Sequence, residues 1–183
     1  MHITLVKPTL GRLDPGRFTD GARMEPLGLG VLAGLTPPGV DLSLVDDRVD
    51  VFDPDAPTDL VAITVETFTA RRAYEIADDA RARGVPVVLG GMHPTLLPDE
   101  AGDAETVWAG IVRDAHEGRL RPRYDAPPGP PQIGGVLPRR DLYRGKGYLP
   151  LSLLQLGRGC RFACEYCAVG EYFGHHAWTR PVD

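Results

Sequence analysis

The sequence predicts an α/β protein organised on an open parallel sheet with helices on both faces. Three observations lead there. Strand-length apolar runs recur at residues 2–6, 40–45, 59–65 and 85–89, as expected of strands covered on both sides. Segments with apolar residues at helical spacing separate the first run from the second and the third from the fourth. The resulting order is strand, helix, strand, strand, helix, strand, the pattern of a crossover-connected sheet. Each run stops at residues that end strands or open turns: Lys7-Pro8, Asp46-Asp47, Glu66-Thr67 and Gly90-Gly91.

The first run, residues 2–6, is β-branched and apolar. A polar, glycine-bearing loop follows over residues 9–25, a length that in compact domains belongs to functional or mobile segments. Pro26 opens a helix in which Leu27, Val31, Leu32 and Leu35 share a face, and Pro37-Pro38 stops it. Its Gly28, Gly30 and Gly34 lower helix propensity but permit close approach to a sheet or a flat ligand. After the third strand, Ala70, Ala73, Tyr74, Ala77 and Ala80 mark one face of a second helix, with Thr69 as N-cap and Gly84 as its stop. A third helix is expected over residues 104–119, with Val107, Trp108, Ile111, Val112 and Ala115 on its apolar face; Trp108 reads as core or as a cofactor contact. The Pro- and Gly-rich residues 125–135 mark a boundary. The expected division is a first domain at residues 1–124, a linker at 125–150 and a second unit at 151–183, opened by a strand at 149–156.

Charge and composition narrow the partners. Lys and Arg number 20 against 25 Asp and Glu, a net charge of -5 with no basic run. That balance argues against a nucleic-acid or anionic-membrane surface and leaves small molecules. No basic and then apolar leader precedes the first strand, and no segment approaches the roughly 20 apolar residues of a bilayer span. The expected location is cytoplasmic, a reducing compartment in which thiols persist.

In open α/β sheets, ligands bind beyond the carboxyl ends of the strands. The candidate contacts there are Thr64, Glu66, Thr67, Gly90, Gly91, His93, Pro94 and Thr95. The glycine pair either brings backbone amides close to a ligand or forms a tight turn with no ligand. All three cysteines, Cys160, Cys164 and Cys167, fall in one short loop. Disulfides between cysteines so close would be strained, whereas soft thiolates suit zinc or an iron–sulfur cluster. Zinc would need a fourth ligand from His175 or His176; a four-iron cluster on three thiolates keeps one iron open for chemistry.

The spacing Cys160-x3-Cys164-x2-Cys167, with Tyr166 before the last cysteine, resembles the cluster loop of radical SAM enzymes. A second set of motifs points the same way: Met24-Glu25-Pro26-Leu27-Gly28-Leu29, Asp46-Asp47-Arg48, and residues 67–74 and 90–101. Together they look like the cobalamin-binding domain of the B12-dependent radical SAM class, over about residues 3–182. The resemblance implies a Rossmann-like (flavodoxin-like) sheet of the cobalamin-binding type, followed by the first strand and cluster loop of a radical SAM partial TIM barrel. It implies a 4Fe-4S cluster on the three cysteines and S-adenosylmethionine on the open iron, cleaved to a 5′-deoxyadenosyl radical. Cobalamin would rest on the strand-end loops, and Tyr166, Gly102 and Glu105 would join the cofactor-binding residues.

The sequence also departs from that pattern. The cobalamin mutases' Asp-x-His-x-x-Gly loop has no counterpart after the first strand, so His93 reads as a residue beside the corrin or one that fixes the turn rather than as a cobalt ligand. His175 and His176 read as solvated loop residues. Gly102-Asp103-Ala104-Glu105 resembles the family's Gly-Glu-Ala-Glu loop, but only Ala101 stands between Glu100 and Gly102, where a strand should precede it. That deletion predicts a missing pocket wall and weak binding of hydroxocobalamin. The chain stops at Asp183, where the barrel's first helix should begin, so the expectation is a catalytically incomplete member that is shortened or needs a second polypeptide to complete the barrel. Rival readings are a non-catalytic cobalamin-binding or iron–sulfur module, and a remnant with neither cofactor.

Overall fold

The structure, a computed structural model, describes residues 1–10, 23–96, 104–125 and 135–180, and the side chains of all of these except 104–106. Most of the expected loop after the first strand, the proposed deletion after Ala101, Gly102, the side chain of Glu105 and most of the Pro- and Gly-rich stretch lie outside the described residues.

Four parallel strands form the sheet: β1 (His2–Lys7), β2 (Asp41–Asp46), β3 (Leu60–Thr64) and β4 (Val87–Gly90), in the order β2-β1-β3-β4. Leu5 pairs with Leu44 on one side and Ala62 on the other, and Ile63 pairs with Leu89. The helices are α1 (Leu27–Leu35), α2 (Ala70–Ala82), the short α3 (Met92–Leu96), α4 (Ala104–His116) and α5 (Val169–Phe173). The parallel α/β sheet expected from the apolar runs is present.

Alternation along β1 builds a core on each face. Ile3 and Leu5 point to one side, where they meet Leu29, Leu32 and Ala33 of α1 and Trp108, Ile111 and Val112 of α4. Val6 points to the other, with Val61, Ile63 and the alanine face of α2. Ile3, Leu5 and Val6 are each 0% exposed, and burying such a side chain contributes about 1.5–3 kcal/mol. Trp108 is 1% exposed and donates its indole N–H to Thr36 Oγ1 at 2.9 Å, which satisfies its one polar atom.

Several local expectations change. Thr69 stands at the N-cap position of α2 but its side chain makes no cap hydrogen bond. Its hydroxyl accepts from the Glu66 N–H at 3.1 Å and donates to the Glu66 carbonyl at 3.0 Å, closing a 3-10 turn at Thr67–Thr69 that precedes the helix. Gly84 does end α2, at φ +75° with its N–H on the Arg81 carbonyl. The third long helix stops at His116 rather than 119, followed by Gly118 at φ +66°. Residues 90–95, expected as a loop, turn into α3. The strand expected at 149–156 does not form. Leu151, Leu154 and Leu156 are 48%, 82% and 67% exposed, and a strand needs a neighbour to pair with and a surface to cover. What forms is a short antiparallel pair, β5 (Gly157–Gly159) with β6 (Ala177–Thr179), so a barrel strand is not shown.

Candidate functional site

The chain order reverses between β1 and β3, the switch point at which open α/β sheets take ligands. Lys7 and Glu66, at the ends of these two strands, form an ion pair of 3.2 Å across it. Beside the switch point, a cavity of about 80 Å³ opens above β3 and β4. Its walls are Gly28 and Leu32 of α1, Thr64, Gly90 and Gly91 at the strand ends, Trp108 of α4 and Tyr172 of α5. Thr64, Gly90 and Gly91, three of the residues expected at the strand ends, are thus brought together. Gly28, Trp108 and Tyr172 join from other elements, and only the glycine stripe of α1 and the ambiguous tryptophan hinted at them.

The Gly90-Gly91 turn is shaped for close backbone contact. Gly91 has φ +105°, and a Cβ there would lie 2.9 Å from the Val65 carbonyl oxygen and 3.2 Å from Thr64 Oγ1. Neither conformation nor space admits a side chain. Thr95 donates its hydroxyl to the Gly91 carbonyl at 2.9 Å, and Pro94 is buried beneath the turn. His93 is 8% exposed and is held at both ring nitrogens, by Tyr74 Oη at 3.2 Å and Thr67 Oγ1 at 3.3 Å. Its N–H also donates to the Val65 carbonyl at 3.1 Å. The imidazole therefore ties α3 to α2 and to the 3-10 turn. Thr67 is otherwise exposed, and the Glu66 carboxylate both pairs with Lys7 and accepts the Thr69 N–H.

The carboxylates at the other strand ends face inward. Asp46 is 0% exposed and accepts from Arg48 Nε at 2.9 Å, Arg48 Nη2 at 2.7 Å and Tyr148 Oη at 2.8 Å. Burial alone would raise its carboxyl, but the donors Arg48 and Tyr148 outweigh that and hold it below the usual carboxylate range. The same contact and burial push the Tyr148 phenol well up, burial being the larger cause. Asp47 pairs with Arg72 at 2.9 Å, and Asp50 with Lys146. Glu25 takes Arg140 and, at 3.0 Å, the Leu153 N–H. Asp46, Asp50 and Glu25 thus fasten residues 138–153 onto the sheet, while Asp47 holds α2. The sequence placed Asp46-Asp47 at the ligand end of the sheet and showed Glu25 and Arg48 only within family motifs; that Asp46 meets Tyr148 and Glu25 meets Arg140, about a hundred positions away, is not legible locally.

The cysteine loop stands apart from the cavity. Cys164 and Cys167 are exposed, Cys160 is half-buried, and none is in a disulfide. The Cys167 N–H donates to the Cys164 carbonyl at 3.0 Å, and Tyr166 is 93% exposed. Among the described residues, no group of three or more His, Cys, Asp and Glu side chains is placed to hold a metal ion. The thiols are therefore not gathered as ligands, and the arrangement does not fit the expected cluster. His175 and His176 are exposed, and His176 stacks on Trp178 with ring centroids 5.5 Å apart. Among the described residues no helix is long and apolar enough to cross a membrane.

No known family profile matches the chain. It is similar to the bacteriochlorophyllide d C-8(2)-methyltransferase of Chlorobaculum tepidum, 35% identical over 178 residues that take up 85% of this chain and 39% of that protein. The bacteriochlorophyllide d C-12(1)-methyltransferase of the same organism is 32% identical over 89% of this chain and 39% of its own length. An uncharacterized methyltransferase of Synechocystis is 28% identical over 86% of this chain and 31% of its own. The chain thus spans about two fifths of the length of the first two relatives. All three relatives are named for methyl transfer, and this corrects the family reading made from the motifs. The relatives' names overturn the cobalamin-binding radical SAM reading and its alternative, a cobalamin or iron–sulfur module. On the same grounds the 4Fe-4S cluster and cobalamin are set aside as cofactors.

Proposed function

We propose that this chain is part of a methyltransferase that takes its methyl group from S-adenosylmethionine and delivers it to a small molecule. The observation that carries the reading is the cavity at the carboxyl ends of β3 and β4, lined by Thr64 and the Gly90-Gly91 turn, in a chain about a third identical to named methyltransferases. Its volume of about 80 Å³ is well below the roughly 300–1,000 Å³ of a complete small-molecule pocket. It therefore receives only a small part of S-adenosylmethionine, and the apolar wall of Leu32 and Trp108 beside the Thr64 hydroxyl suits an edge of the adenine ring.

S-adenosylmethionine, when bound, supplies an electrophilic methyl group. The chain's contribution is to position and desolvate. Gly28, Gly90 and Gly91 let a flat group approach the backbone, and Trp108 and Leu32 exclude water. Glu66, Thr67, His93, Pro94 and Thr95 lie outside the cavity lining and stiffen the turns beside it. The loop of Cys160, Cys164, Tyr166 and Cys167, itself apart from the cavity, leads into α5, whose Tyr172 reaches it. Bacteriochlorophyllide d is the first acceptor to try, because two relatives are named for methylating it.

The test is Gly28→Leu. No atom lies within 4 Å of a Cβ at Gly28, so a leucine enters open space at the cavity wall and raises helix propensity by roughly 0.8 kcal/mol. The variant is expected to melt no lower than the parent yet to bind S-adenosylmethionine at least about tenfold more weakly by titration calorimetry. Equal affinity in the two proteins, or no binding to the parent at millimolar concentration, overturns the assignment.

A further inference from the structure

On the opposite face of the sheet, the connection from β2 to β3 arches over a second cavity, of about 270 Å³. No helix spans this connection, residues 47–59. Phe52 from the connection, Val45 of β2, Val61 of β3 and Ala80 of α2 give apolar walls. Three hydroxyls, Thr4, Ser43 and Thr58, form one polar end, and His2 and Asp53 complete the polar lining. A dry cavity of about 150 Å³ already admits benzene, so this one accommodates a fused two-ring molecule.

The hydroxyls form a chain whose direction is set. Thr58 donates to the Leu60 carbonyl at 3.0 Å, and Thr4 donates to Thr58 Oγ1 at 3.0 Å. A threonine has one hydroxyl hydrogen. Thr4 has given its own to Thr58, so in its 3.1 Å contact with Ser43 it accepts and Ser43 donates. What Ser43 retains is lone-pair density, made more basic by the chain behind it. The polar end of the cavity is therefore an acceptor.

We propose that this cavity binds a flat, mostly apolar molecule carrying one hydrogen-bond donor, an N–H or O–H directed at Ser43 Oγ. The site shares no residue with the cavity assigned to S-adenosylmethionine, so either assignment can fail alone.

Indole and indene probe it, since they have the same shape and only indole has an N–H. Titrated into the full chain and followed by protein NMR shifts, indole should bind about tenfold tighter than indene, the effect of one hydrogen bond. Ser43→Ala should equalise the two. Val51→Trp, at a rim side chain 67% exposed, should weaken both while leaving S-adenosylmethionine affinity unchanged. Failure of indole to bind at millimolar concentration overturns the proposal, as does a preference for indole that survives in Ser43→Ala. If Ser43→Ala does not fold, the rim variant decides: unchanged indole affinity in Val51→Trp overturns the site.

Discussion

Asp46 is where the sheet, the segment 138–153 and the charge balance meet, and its chemistry gives a pH dependence of known sign. Its folded carboxyl lies below the ordinary value near 3.9. The ionised form therefore adds stability that is fully present above that value and is lost as pH falls through the lower, folded one. Tyr148→Phe removes one donor from the buried carboxylate. We expect a loss of about 1–2 kcal/mol at neutral pH and an acid-unfolding midpoint shifted to higher pH, read by circular dichroism. Tyr143 has the opposite sign. Burial pushes its phenol up to about 12, so its contribution is present below about pH 10 and is lost as pH rises through 12. Tyr143→Phe should flatten that alkaline limb. A limb as steep as the parent's would assign it to other groups.

At the scale of elements, α1 shows what its glycines are for. A Cβ on Gly30 would lie 2.0 Å from Tyr143 Oη, and one on Gly34 would lie 2.4 Å from the Leu137 carbonyl oxygen. Two of the three glycines thus let residues 136–143 lie against the helix, where the Arg139 N–H donates to the Gly30 carbonyl at 2.9 Å and Tyr143 Oη to the Pro26 carbonyl at 3.0 Å. Gly28 alone faces the cavity. Gly30→Ala should cost about 1–3 kcal/mol by overpacking despite the better helix former. Because the nearest atom is the phenol oxygen, Gly30→Ala combined with Tyr143→Phe should cost less than the sum of the two single changes. Strict additivity in chemical denaturation would place the strain elsewhere. At the strand-end turn, Gly91→Ala should destabilise by at least about 1 kcal/mol, since its φ of +105° and the Val65 carbonyl both oppose a side chain.

Across the whole molecule, residues 138–153 act as a strap over the sheet. Glu25, with a side chain 9% exposed, takes Arg140, 35% exposed, together with the Leu153 N–H. Glu25→Gln should cost about 1–2 kcal/mol, discounted from a fully buried pair because Arg140 is partly solvated. Amide exchange at Leu153 should speed up while β1 stays protected; unchanged exchange would mean that the backbone contacts hold the strap alone. The sequence by itself determined the four parallel strands and the three long helices, the α/β class and the glycine turn at 90–91. Those follow from apolar periodicity and punctuation, which are local. Only the tertiary structure decided what depends on contacts between distant residues. It showed Asp46, Glu25, Gly30 and Gly34 as fastenings for the strap, and it joined Gly28, Trp108 and Tyr172 into one wall. Residues 151–156 have the leucines of a strand but no neighbour beside them, and a strand forms only when a partner takes up its backbone groups.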